Sequence, residues 1–83
     1  MKRDSLLTTL EELAKGHHIE IRKGKYDGKS GMGKYKGNYV LLIDRSLAPE
    51  ERVELLTDAL IEAGVPVDEL PAEVRTLFNR AKS

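Results

Sequence analysis

The sequence predicts an α+β domain in which a small three-stranded sheet containing a hairpin is packed by three helices, in the order α-β-β-β-α-α. Three observations predict it. Residues 39–43, Tyr-Val-Leu-Leu-Ile, form an uninterrupted apolar run of strand length between Gly37-Asn38 and Asp44-Arg45-Ser46, which is the pattern of a strand buried on both faces. Residues 49–63 then divide cleanly at helical spacing, with Val53, Leu56, Ala59, Leu60 and Ala63 on one face and Glu51, Glu54, Asp58 and Glu62 on the other. Further amphipathic stripes lie on both sides of this strand–helix unit, and burying each stripe against one sheet gives the layered α+β arrangement.

The elements follow in chain order. A first helix is expected from Asp4 or Ser5, either of which caps the free N–H groups of a first turn, and Leu6, Leu7, Leu10, Leu13 and Ala14 give it one apolar stripe before Gly16 ends it. Ile19-Glu20-Ile21 alternates and reads as a short strand. Residues 23–30 hold Gly24 and Gly28 among three lysines, with Gly31 just beyond. This stretch is expected to be the most mobile internal segment, because little apolar area offsets the roughly 1–2 kcal/mol per residue of ordering entropy. Residues 33–36 pair with the apolar strand across Gly37-Asn38, a dipeptide suited to the positive φ values of a two-residue hairpin turn. Pro49 opens the second helix, where its missing N–H has no intrahelical partner, Glu50 and Glu51 favour the positive end of the dipole, and Gly64 closes it. Val65-Pro66-Val67 is extended. Asp68 as a cap and Pro71 near the first turn start the last helix, with Leu70, Val74, Leu77, Phe78 and Ala81 as its apolar stripe.

Composition removes several function classes. Eighty-three residues form one domain whose marginal core buries about 60–65% of the unfolded chain's surface, so a partner or oligomer would add stability. Cysteine is absent, which excludes disulfide frameworks and thiolate metal sites. The opening MKRDSLLTTLEEL is charged and lacks a signal-peptide core, and no apolar run approaches the roughly 20 residues of a membrane span. A cytoplasmic protein without membrane association is expected. Net charge is zero, yet from Lys15 to Lys36 seven basic residues face two acidic ones, a local +5, while from Asp44 onward nine acidic residues face five basic ones, a local −4.

One stretch carries a resemblance. Ile43-Asp44-Arg45-Ser46-Leu47-Ala48-Pro49-Glu50 resembles the strand-to-helix phrase I-N/D-x-S-L-x-P-E of the ImmA/IrrE-type zinc metallopeptidases, and the likeness in element order extends over residues 5–64. In that family the next phrase, like L-A-H-E-L-G-H, carries the His-Glu-x-x-His motif, in which two imidazoles bind zinc and the carboxylate activates water. Here Leu56-Thr57-Asp58-Ala59-Leu60-Ile61-Glu62 occupies it. Asp58 and Glu62 stand at the ligand positions and Ala59 stands where the base belongs, and an alanine takes no proton. The further ligand-bearing helix of such enzymes is also not expected within these residues. The resemblance therefore implies a degenerate relative that has lost zinc and peptidase activity.

Each remaining feature has a bland and a functional reading. His17-His18 diverge on any regular element and read as a surface turn rather than a chelate. Glu51, Glu54, Asp58 and Glu62 suit a divalent cation, but like charges at i,i+4 cost only a few tenths of a kcal/mol and read first as a solvated face. Gly31-Met32-Gly33-Lys34-Tyr35-Lys36-Gly37 precedes a strand rather than a helix, so its glycines are turn chemistry and not a phosphate loop. Lys25, Tyr26, Lys34, Tyr35, Lys36 and Tyr39 interleave charge and rings, as in modules that pair phosphates with stacked bases.

Three function classes follow. The leading one is a small non-enzymatic interaction module, regulatory in kind, with Lys25, Tyr26, Lys34, Tyr35, Lys36, Tyr39, Glu54, Asp58 and Glu62 as candidate partner-binding residues. It has no catalytic residue, cofactor or metal. The second is a weak single-stranded nucleic-acid binder through the Lys/Tyr hairpin, and the third a hydrolase using Asp58 and Glu62. A weak homodimer is expected, since the two faces of the apolar strand both need cover and the basic hairpin complements the acidic helix.

Overall fold

A computed structural model describes residues 3–82, with side chains described for 5–80. Helix α1 spans Arg3–Gly16, strands β1, β2 and β3 span Ile19–Gly24, Gly31–Tyr35 and Asn38–Asp44, helix α2 spans Pro49–Glu62, and helix α3 spans Ala72–Lys82 after a single 3-10 turn at Val67–Glu69. The order is the predicted α-β-β-β-α-α of an α+β fold. The sheet is mixed and runs β1-β3-β2, with β3 in the middle, parallel to β1 and antiparallel to β2.

The apolar run thus became the central strand, but it is not buried on both faces. Leu41 and Ile43 point into one core with Leu10 and Ala14 of α1, Leu56 and Leu60 of α2, and Val74 and Phe78 of α3. Val40 and Leu42 alternate to the opposite face, lie outside that core and stay half-exposed. All three helices contribute to the core on the Leu41 side, so five consecutive apolar residues here mark a central strand with one covered face.

Other boundaries also shift. The α1 helix is already under way at Arg3, so Asp4 and Ser5 are helical rather than capping. Gly16 is its last helical residue, as expected, and the left-handed exit follows at His18, with φ 63°, because His17 and His18 still donate to the carbonyls of Leu13, Ala14 and Lys15. Strand β1 runs on to Gly24, since Arg22, Lys23 and Gly24 stay in register with Leu42, Ile43 and Asp44. The hairpin turn is Lys36-Gly37, one residue earlier than expected. Both residues have positive φ, 53° and 83°, and Tyr35 pairs with Asn38 across the turn, as in a type I′ turn.

Gly64 closes α2 as its type predicts. At φ 78° it donates to Ile61, while Val65 donates to Leu60, the pair of reversed bonds that satisfies orphan carbonyls at a left-handed helix end. Asp68 sits within the 3-10 turn rather than capping α3, whose first residue follows Pro71 directly. Ala81 of the expected α3 stripe lies outside the described side chains.

Candidate functional site

The mixed topology makes residues 25–30 cross the C-terminal end of β3 on their way from β1 to the far edge of the sheet. Asp44 meets them there. Its Oδ2 accepts the backbone N–H of Tyr26 at 2.7 Å and of Gly28 at 2.9 Å, its Oδ1 accepts the N–H and the hydroxyl of Ser46, and its own N–H donates to Ser30 Oγ. Donation from the Ser46 hydroxyl, the Ser46 amide and the Tyr26 and Gly28 amides holds this buried carboxyl well below the usual carboxylate range. The loop that composition marks as mobile is therefore tied to the end of β3 at two amides, those of Tyr26 and Gly28, and at the Ser30 hydroxyl.

Beyond this anchor lies the sheet face that the helices leave uncovered. By register, Glu20 and Arg22 of β1, Val40 and Leu42 of β3, and Gly31, Gly33 and Tyr35 of β2 share it. Tyr35 is 63% exposed and, among the described residues, is the large apolar residue most open to water. The two glycines expose bare backbone beside Val40 and Leu42, and a Cβ at either would meet nothing within 4 Å. A concavity of about 540 Å³ opens at the Tyr35 end, walled by Lys15, Arg22, Tyr35, Lys36, Asn38 and Val40. Arg22 is engaged by Glu20 at 2.5 Å.

The predicted Lys/Tyr set divides between faces and does not form one ladder of rings. Lys34 and Tyr39 are register partners on the helix-covered face, with the Lys34 ammonium 5.1 Å from the Tyr39 ring centre. Lys36 lies 5.4 Å from the ring of Tyr35 on the uncovered side. Tyr26 is half-buried in the anchored loop, its ring against Gly24, and Lys25 is exposed beside it.

Glu54, Asp58 and Glu62 are all exposed on α2. Glu51, Glu54 and Asp58 border a recess shared with Gly28 and Ser30, immediately before β2, which places the acidic face at the β2 side of the molecule. Ala59, which the sequence resemblance would set at the position of the peptidase base, is 3% exposed within the core, so it points away from Asp58 and Glu62. Among the described residues, no three His, Asp or Glu side chains gather as a metal-holding group, and no helix is long and apolar enough to cross a membrane.

Compared with known proteins, the chain matches no family model, no curated protein and no solved structure. The likeness to ImmA/IrrE-type peptidases thus rests on its own sequence phrase. Sequence reasoning missed the anchoring role of Asp44 and the alternate-glycine edge. For the second the signal was present: Gly31 and Gly33 lie at strand spacing, two residues apart, so one face of β2 is bare.

Proposed function

We propose that this chain is a cytoplasmic, non-enzymatic interaction module that binds a protein partner with the uncovered face of its sheet and the adjoining β2 edge. The observation that carries the reading is the pair Val40 and Leu42, two apolar residues in the central strand that stay outside the core and have Tyr35 exposed beside them. An apolar patch of this kind, rimmed by Lys15, Arg22 and Lys36, has the composition of an interaction surface rather than of solvent-facing sheet.

Photo-crosslinking in the cells that make the protein tests this. A benzophenone amino acid at position 35 is expected to yield a discrete protein adduct that disappears when Leu42→Lys is added. The same group at position 62, on the acidic helix, is expected to yield none. Adducts from position 62 alone, or none from position 35, would overturn the reading.

A second reading, weak binding of single-stranded nucleic acid, is favoured by the three cations around Tyr35. One ring on the face supports a single stacked base, which makes it the weaker reading. Its signature is oligonucleotide affinity that falls steeply with salt and is lost in Tyr35→Ala.

A further inference from the structure

We propose that the partner is a second copy of the chain, joined by antiparallel pairing of β2 with β2 about a two-fold axis at Gly33, an inference that rests on the binding-module reading above. The hairpin geometry supplies the edge. In a two-residue hairpin the residues flanking the turn exchange both backbone bonds, so Tyr35, Gly33 and Gly31 spend their N–H and C=O groups on Asn38, Val40 and Leu42. Met32 and Lys34 therefore aim theirs outward, and nothing among the described residues is hydrogen-bonded to that edge. The other edge, β1, carries Glu20, Arg22 and Lys23, the kind of charged edge that discourages pairing.

The register about Gly33 is selected by side chains. It sets Met32 opposite Lys34 of the second copy, each such pair exchanging both backbone bonds, and it uses all of residues 31–35. It also sets Tyr35 opposite Gly31 of the second copy, where no Cβ stands in the way. The ring then lies over that glycine and reaches Leu42, the cross-strand partner of Gly31. The exposed aromatic of each copy thereby covers part of the uncovered apolar patch of the other. A register centred on Lys34 would instead oppose two lysines, and stacking the two open faces would oppose Lys15, Arg22 and Lys36 with themselves.

Charge complements the same arrangement. Antiparallel pairing brings the Lys34–Lys36 end of one hairpin beside the start of β2 in the other, next to Gly28 and Ser30, where Glu51, Glu54 and Asp58 border the recess. The basic hairpin of each copy meets the acidic helix of the other, twice over by symmetry.

The absence of cysteine makes the test direct. Gly33→Cys places two thiols across a non-hydrogen-bonded pair, where Cα atoms stand roughly 4.5 Å apart and a disulfide fits. Gly33 lies in open space without a positive φ, so the variant keeps the fold. Mild oxidation is expected to link Gly33→Cys at least about tenfold faster than Lys34→Cys, whose like positions fall beyond the roughly 7 Å limit, or Glu62→Cys. Sedimentation of the unmodified chain is expected to show a monomer–dimer equilibrium that tightens as salt is lowered. Lys34→Glu should weaken it by about tenfold, and adding Glu54→Lys should restore it. Equal linking of the three cysteine variants, or a monomer mass up to the high-micromolar range at low salt, would overturn the dimer. A position-35 adduct containing a different protein would also overturn it while leaving the binding-module reading intact, whereas no adduct at all removes both.

Discussion

The carboxylate of Asp44 accepts the backbone N–H of Gly28 at 2.9 Å, and this bond joins the end of the central strand to the loop that crosses it. The same oxygen takes the Tyr26 amide. These donors favour the ionised carboxyl, so its folded-state value lies below the ordinary one.

The sign of the pH dependence follows. Because the unfolded chain binds a proton at Asp44 more readily than the folded one, the contribution is fully present above the ordinary carboxyl value near pH 4 and is lost as pH falls further toward the lowered one. Urea midpoints measured from pH 6 downward are expected to drop for the parent chain below about pH 4. Asp44→Asn should lack that part of the drop. Parallel acid profiles for the two would show that Asp44 does not carry it.

The same bonds predict order in a segment that composition reads as loose. Amide exchange at Tyr26 and Gly28 is expected to be slow in the parent chain and about tenfold or more faster in Asp44→Ala, with Leu41 and Ile43 little changed. Equal exchange at Gly28 in both proteins would count against the anchor.

What the sequence made legible was whatever is encoded locally. The strand run, the two-faced α2 and the closing Gly64 each depend on neighbours within a few residues, and each is where its residue types place it. The parallel pairing of β1 with β3 is not local, because it depends on a loop passing over the strand end. Asp44 was hidden for a related reason: its partners there are backbone amides, and an amide at Tyr26 or Gly28 has no residue-type signature. The Lys/Tyr set looked like one surface because Lys34 and Tyr35 are adjacent, yet adjacency in a strand sends side chains to opposite faces. The turn was displaced by one residue because Gly37 suits either dipeptide, and only the register shows that Lys36 takes the other positive φ.

That displacement leaves a lysine in a left-handed conformation. Asparagine is favoured at the first central position of a type I′ turn, so Lys36→Asn is expected to stabilise the fold by about 0.5 kcal/mol. Chemical denaturation would read it. A loss of stability would mean that the contact of Lys36 with the Tyr35 ring outweighs the backbone relief.

His18 poses the same question after α1. With φ at 63° its Cβ crowds the following carbonyl, whereas glycine adopts this conformation freely. His18→Gly is expected to raise stability by about 0.5–1 kcal/mol after allowing for the looser unfolded chain. An unchanged or lower urea midpoint would indicate that the imidazole makes compensating contacts.

Two neighbouring leucines test the layering itself. Leu41 is fully buried beneath the helices, while Leu42, one residue on, is half-exposed on the other face. A lysine at position 41 forces an unpaired ammonium into the core, which is expected to cost more than about 3 kcal/mol and to leave a marginal domain of this size largely unfolded. At position 42 the same lysine extends into water along the open face, bordered by Gly31 on the β2 side and by Arg22, itself paired with Glu20, on the β1 side. Its expected cost is about 1 kcal/mol or less, limited to partial loss of apolar contact. Circular dichroism and urea titration of Leu41→Lys and Leu42→Lys separate the cases. If both unfold the chain, the Val40 and Leu42 face is covered in solution by something the monomer requires, and the uncovered face ceases to be a surface open to exchangeable partners.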